Sequence, residues 1–368
     1  MLRAYKTELE VNNKQRTKLM QYAGTARFVY NWALLDRIES HQNNLSTNKY
    51  EQEKRFNAVK KERYPWLKEI CYKVTEQEFT NCDLAFSNFF RSWKKGDKLV
   101  GYPKLKSRKE GIGKFTLRGK IIIESNRIKL PRLDWLKLKE VNYLPISGIK
   151  ILSATISERA GHWFVSVQAD TLKEIIPLGL TDKVIGVDLG IKILATCSDG
   201  KVFENPKALN KSEKKLAHLQ REVSRRVKGS KNRTKSKKKV ARLHYRISNI
   251  RQYALHEVSN YLTVKAKPKV IVLENLNVKG MVRNRHLSKA ISDASFSELR
   301  RQIEYKAKWY GEKVVIADRF YPSSKTCSEC GNVKPLLKLS ERTFVCEVCG
   351  AVMDRDFNAS LNLALLVH

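Results

Sequence analysis

At 368 residues the chain is long enough for two or three domains, since single hydrophobic cores rarely grow beyond about 250 to 300 residues. Lysine and arginine number 72 against 37 aspartate and glutamate, a net charge of +35 with a pI near 9.9, which exceeds what solubility requires and points to a polyanionic partner. An anionic membrane would suit that charge too, but no apolar run approaches the roughly 18 residues of a spanning helix, and Met1-Leu2-Arg3-Ala4-Tyr5-Lys6 has no apolar leader. A cytoplasmic nucleic-acid binder is the expectation, so the seven cysteines need an explanation other than disulfides.

Tyr5, Thr7, Leu9 and Val11 alternate with polar neighbours and predict a half-buried strand. Asn12-Asn13 then suits a helix cap, and Leu19, Ala23, Tyr30 and Leu34 fall at helical spacing. A second stripe runs through Val74, Phe79, Cys82, Phe86, Phe89, Phe90 and Trp93, so residues 12 to about 95 read as a helical domain inserted after the first strand. Its aromatic end fits helix core better than a base-stacking platform. From Gly101 the runs Lys114–Leu117, Lys120–Ile123, Arg127–Leu130, Lys150–Ser157 and Trp163–Ala169 suggest a small antiparallel barrel or sandwich that the first strand completes. Leu172–Lys183, with Pro177 and Gly179, reads as a linker.

Val184–Phe203 reads as three strands, the last two joined at Ser198-Asp199-Gly200. Two long helices follow, separated by Lys228–Lys239, which reads as a polar, mobile connector. Lys207 to Arg251 carries 17 lysines or arginines against Glu213 and Glu222 alone, a dense positive face rather than the mixed signs of an ordinary surface. A strand at Lys269–Leu273, a helix at Phe296–Tyr310, a strand at Lys313–Ala317 and a last helix at Phe357–Leu366 complete an RNase H-like α/β pattern.

Two motifs carry chemistry. Cys327, Cys330, Cys346 and Cys349 form paired Cys-x-x-Cys knuckles, each followed by a glycine (Gly331, Gly350), which is the spacing of a closed, structural four-thiolate Zn²⁺ ribbon. The scattered Cys71, Cys82 and Cys197 read as small core residues. Three carboxylate segments are the second motif. Asp188 ends an apolar run before Leu189-Gly190, where the glycine permits a sharp turn, and Glu274 follows four apolar residues, where burial without a partner or metal would be costly. Asp354 and Asp356 precede the last helix, and one of them serves as its cap. Together the three segments suit two Mg²⁺ ions about 4 Å apart, as in phosphodiester hydrolysis.

The segments Gly186-Val187-Asp188-Leu189-Gly190-Ile191-Lys192, Leu273-Glu274-Asn275-Leu276, Tyr321–Gly331 and Asp354-Arg355-Asp356-Phe357-Asn358-Ala359 resemble the TnpB (OrfB) proteins of bacterial insertion sequences, relatives of the type V CRISPR nucleases. Ala85–Phe90 and Pro103-Lys104-Leu105-Lys106 extend the resemblance over the amino-terminal half. Asn275 departs from the aspartate common there, and the chain stops soon after the last helix where relatives often carry a longer tail.

The resemblance implies an α/β multidomain fold: a RuvC-like (RNase H-like) nuclease domain with a zinc-ribbon insertion, a β-barrel wedge domain and a helical recognition domain. It places the wedge at 1–11 and 99–180, the helical domain at 12–98, the nuclease at 181–320 and 353–368, and the ribbon at 321–352. It implies an RNA-guided DNA endonuclease whose guide is a transposon-derived omega RNA and whose target is double-stranded DNA beside a short motif, one protein per RNA. Asp188, Glu274 and Asp356 take the positions of the catalytic Mg²⁺ carboxylates, with Asn358 supporting Asp356. Lys73 and Gln77, one helical turn apart, are candidate readers of the motif; Lys104, Lys106, Arg225, Arg226, Lys237, Lys238, Arg242 and Arg246 are candidate nucleic-acid contacts. A nuclease-inactive guided binder and a transposase are the alternatives, and retention of all three acids argues against the first.

Overall fold

The structure, a computed structural model, describes every residue except 46, 97–99, 109, 110, 172–180, 339 and 368. The chain forms two compact units, Met1–Lys173 and Glu174–His368.

In the first unit, strand β1 (Leu2–Glu10) leads into helices α1 (Asn13–Gln42), α2 (Lys49–Arg63) and α3 (Tyr72–Lys94). Asn12 caps α1 as expected: its side chain accepts from Gln15 N at 2.8 Å while Gln15 Oε1 accepts from Asn12 N at 3.0 Å. The helices share a core of Val29, Tyr30, Phe56, Phe79, Cys82 and Phe86. The aromatic stripe enters this core only as far as Phe86; Phe90 and Trp93 are 47% and 72% exposed.

Strands β2 (Lys114–Leu117), β3 (Ile122–Ile123), β4 (Arg127–Lys129), β5 (Trp135–Leu138), β6 (Lys150–Arg159) and β7 (His162–Asp170) join β1 in a seven-stranded antiparallel sheet of order β2-β6-β7-β1-β5-β4-β3. All seven strands place residues in one core, including Leu9, Phe115, Ile123, Ile128, Leu136, Ile156 and Val165, so the sheet curls around it. β5 was not legible in the sequence: its short alternation lies between a proline-containing turn and a glutamate-asparagine stretch.

The second unit opens with β8 (Thr181–Leu189), β9 (Ile193–Cys197) and β10 (Val202–Glu204), followed by α4 (Ala208–Arg225) and α5 (Lys231–Asn260), which runs on as a π-helical turn over Tyr261–Ala266. Thr181–Lys183 therefore belongs to a strand, not to a linker; the rest of that expected linker, residues 172–180, lies outside the described residues. The basic connector also needs correction. Lys231–Lys239 is the first third of α5, capped by Ser230, whose hydroxyl accepts from Arg233 N at 3.1 Å.

β11 (Pro268–Leu273), α6 (Val278–Met281), α7 (Ser288–Ala294), α8 (Phe296–Tyr310), β12 (Lys313–Ile316), β13 (Thr343–Val345), β14 (Val352–Asp354) and α9 (Arg355–Leu365) complete it. The five-stranded sheet has the order β10-β9-β8-β11-β12, with β8, β11 and β12 parallel and β9 and β10 antiparallel to their neighbours. Among the described residues no helix is long and apolar enough to cross a membrane.

Candidate functional site

Asp188 is the penultimate residue of β8, and Glu274 directly follows β11. The two strands are parallel neighbours in the register Val187↔Leu273, so the acids emerge side by side at one end of adjacent strands, whose spacing is about 4.8 Å. Asp356 arrives from the first turn of α9. That helix reaches β8 because Gly186 has no side chain: a Cβ there would lie 2.1 Å from Ser360 O and 2.5 Å from Ala364 N. Gly190 acts through a close approach too, since a Cβ would stand 2.8 Å from Ile193 O; its backbone is not in the left-handed region. Asp354 is the cap, accepting from Asp356 N at 2.9 Å and Phe357 N at 3.0 Å.

The electrostatics join these acids into one group. Burial pushes the Asp188 carboxyl well above its ordinary value, the charges of Glu274 and Asp356 add to that, and Arg355 pulls the other way. Burial and Asp356 raise Glu274. Neither the Asp188 nor the Glu274 carboxylate has a hydrogen-bonding or ion-pair partner among the described residues. Carboxylates that resist ionisation together are the groups a bound cation relieves. Asp356 is turned to arginines instead: Arg355 donates to Oδ1 from Nη2 at 2.8 Å and from Nε at 3.1 Å, and Arg342 Nη1 lies 3.6 Å from Oδ2. Among the described residues, the four cysteines alone bring three or more ligand atoms within 4.8 Å of one another, so the carboxylates are not drawn in to the spacing of a single-ion cage.

The cysteines fit a metal. Cys327 and Cys349 sulfurs lie 3.6 Å apart, as do those of Cys330 and Cys346. That is far beyond a bond of about 2.05 Å and close to the tetrahedral edge of about 3.8 Å set by Zn–S distances of about 2.3 Å. Without a metal the four sulfurs share protons unequally: backbone N–H groups of Cys349 and Val348 bring Cys346 down to about 6, while Cys330 and Cys349 are pushed up among the other thiols. Asn358 has a different place from the one expected. It is buried, accepts from Ser328 N at 3.0 Å and donates to Thr326 O at 2.7 Å, so it binds the first knuckle and does not support Asp356. Asn362, one turn on, donates to Ser323 O at 2.8 Å and Thr326 O at 2.6 Å. The first knuckle is thus bolted to the helix that presents Asp356.

Among the expected nucleic-acid contacts, Arg225, Arg226, Lys237, Lys238, Arg242 and Arg246 are exposed on α4, its C-cap and α5. In the first unit, Lys73 lines a cleft of about 670 Å³ with Arg118, Lys120, Lys129 and Arg132, its ammonium 2.8 Å from Glu76. Gln77, a turn further along α3, donates to Asn81 at 3.1 Å, and Lys104 is exposed. The Lys106 ammonium is held 3.0 Å from buried Glu78 and 3.6 Å from the Tyr30 ring centroid. Beside Glu274 a cleft of about 350 Å³ is lined by Lys279 and Arg319, and by Arg300 and Arg301, which are paired with Glu304 and Glu298; no local sequence pattern marks it. Arg342 and Asn362 also went unnoticed; the Asn358/Asn362 pair at helical spacing on an apolar face was the available signal for the second.

A β9/β10 hairpin beside parallel β8, β11 and β12, acids at the ends of β8 and β11, and a four-cysteine ribbon inserted before a last acid-bearing helix define the RuvC-like class of α/β folds. Residues 162–285 match a family described as "Probable transposase", residues 296–363 one described as "Cas12f1-like, TNB domain", and residues 1–46 one described as "Helix-turn-helix domain". In this structure that last stretch holds one strand and one 30-residue helix. A "Putative RNA-guided DNA endonuclease" of Streptomyces pristinaespiralis is 36% identical over 98% of this chain and 88% of its own length. The "Putative RNA-guided DNA endonuclease InsQ" of Escherichia coli K12 is 32% identical over 100% and 92%. The chain belongs to the TnpB (OrfB) family. The fold agrees: a Cas12f1–sgRNA–target DNA complex superposes with a TM-score of 0.56 at 16% identity, covering 96% of this chain and 83% of that one. The mini-RNA-guided endonuclease Cas-phi3 gives 0.57 at 10% identity, over 100% and 92%.

Proposed function

We propose that the chain is an RNA-guided DNA endonuclease that uses a transposon-derived omega RNA to find double-stranded DNA beside a short flanking motif, and cuts it at one carboxylate site. The observation that carries this reading is the meeting of Asp188 and Glu274 on adjacent parallel strand ends, within electrostatic reach of Asp356. Asp188, Glu274 and Asp356 are the residues that would hold divalent ions, which supply water activation and stabilisation of the leaving oxygen when bound. Lys279 and Arg319, beside Glu274, suit the backbone of the strand being cut. The four cysteines would hold Zn²⁺, and the Asn358 and Asn362 bonds would pass its rigidity to α9. Zinc here is structural, because a four-thiolate shell has no open position.

Guidance divides the labour. Base pairing to the RNA reads the sequence, while cationic surfaces such as the α4–α5 face hold backbone without reading bases. Lys73 and Gln77 on α3 are candidates for the flanking motif. The test is a plasmid library with one fixed target beside randomised flanking bases, challenged with protein and RNA from its own locus. Loss of plasmids sharing one motif, with wild type and not with Asp188→Ala, is the expected result; motif-specific capture without cutting would point to a guided binder, and no RNA-dependent effect would refute the proposal.

A further inference from the structure

The arginines on Asp356 are fixed by the ribbon's own hairpin. Arg342 immediately precedes β13, whose Thr343 pairs with Asp354 of β14, and Arg355 N donates to Arg342 O at 2.7 Å. The ladder therefore sets both guanidinium groups on either side of one carboxylate, Arg355 on Oδ1 and Arg342 on Oδ2. They differ in grip. The Arg355 side chain is 14% exposed and makes two hydrogen bonds to Asp356, whereas Arg342 is 48% exposed with a single 3.6 Å approach. A guanidinium and a divalent cation want the same carboxylate lone pairs, and a guanidinium has no acceptor with which to serve as a ligand itself.

We propose that Arg342 is a positioning residue that occupies Oδ2 of Asp356 until a divalent cation enters and displaces it. Arg355 stays as the permanent partner that holds the carboxylate in place. The ribbon thereby meets the metal site with a charge as well as through its bolts to α9, and divalent-ion affinity is set partly by a residue that ligates nothing. This rests on the reading of Asp188, Glu274 and Asp356 as the metal site.

The test uses the zinc-loaded full chain without nucleic acid, titrated with Mn²⁺ and followed by calorimetry and by the electron-spin signal of free Mn²⁺. Arg342→Gln should lower the Mn²⁺ dissociation constant about threefold or more, the size expected when a partly exposed ion pair no longer competes, with an unchanged melting temperature. Arg342→Lys, which keeps the charge, should return most of the way to wild type. Asp356→Asn should weaken binding at least about tenfold. Equal or weaker binding by Arg342→Gln, while Asp356→Asn weakens it, overturns the displacement. If neither Asp356→Asn nor Asp188→Asn weakens binding, the metal-site reading itself fails and takes the proposal with it.

Discussion

Replacing Gly186 with alanine tests how the last helix is seated. The added Cβ would lie 2.1 Å from Ser360 O, 2.5 Å from Ala364 N and 2.9 Å from Leu363 Cβ, and the first two of these are backbone atoms that no rotamer change can move. Ordinary contact begins at about 3.4 Å, so α9 must lift from β8 by more than an ångström or the strand must bend. Overpacking of this kind costs about 1–3 kcal/mol or more, and in a unit of this size each kcal/mol lowers the melting temperature by about 2–4 °C. The same displacement moves Asp356, at the first turn of α9, relative to Asp188 and Glu274; misplacement by about 1 Å costs on the order of 100-fold in rate. Gly186→Ala should therefore melt several degrees lower and lose guided cleavage by about two orders of magnitude, with its carboxylates intact. Gly24→Ala is the control: in α1 its nearest neighbour would be 3.9 Å away, so it should be neutral or slightly stabilising. A Gly186→Ala protein with wild-type melting and a rate within about twofold would refute the seating argument.

Glu312 is buried, its carboxylate has no partner among the described residues beyond its own backbone N–H, and burial pushes it up to about 7. A raised carboxyl contributes stability below its unfolded value that is lost as pH rises through the folded one, so Glu312→Gln should match wild type near pH 4.5 and exceed it by about 1–3 kcal/mol at pH 8. Denaturation midpoints at both pH values measure this, and a difference that does not grow with pH contradicts it. Asn358→Ala leaves Ser328 N without its acceptor at the first knuckle, a loss of about 1–3 kcal/mol. Zinc should then pass to a chromogenic chelator about tenfold faster or more, and an unchanged release rate would show that the bolt does not support the knuckle.

The sequence was most legible where a pattern is local. Apolar runs ending in Asp188 and Glu274 announce strand ends, and paired knuckles announce a ribbon, because each signal lies within a few residues of its cause. Contacts between distant segments were not legible. Gly186 is small for the sake of Ser360 and Ala364, which lie far along the chain. The resemblance of the Asp354–Ala359 motif implied that Asn358 supports Asp356, yet its helix turns it to Thr326 and Ser328. Lys231–Lys239 has no apolar period to mark a helix. Its order comes from the Ser230 cap and from Glu222 of α4, which accepts from Ser236 at 2.9 Å and from Lys239 at 3.3 Å. Glu222 thus ties the start of α5 to α4, beyond the apolar core of Leu216, Leu243 and Ile247 that packs the two helices.

In the proposed nuclease, three acids from three segments work as one site while their neighbour Asp354 only caps a helix. Single-turnover cleavage of one guided target in Mg²⁺, comparing Asp188→Asn, Glu274→Gln, Asp356→Asn and Asp354→Asn, tests it most directly. Losses of about a thousandfold or more are expected for each of the first three, and for Asp354→Asn, whose amide still caps α9, a rate within about tenfold of wild type. Full activity in any of the first three, or an equal collapse in the fourth, would contradict it.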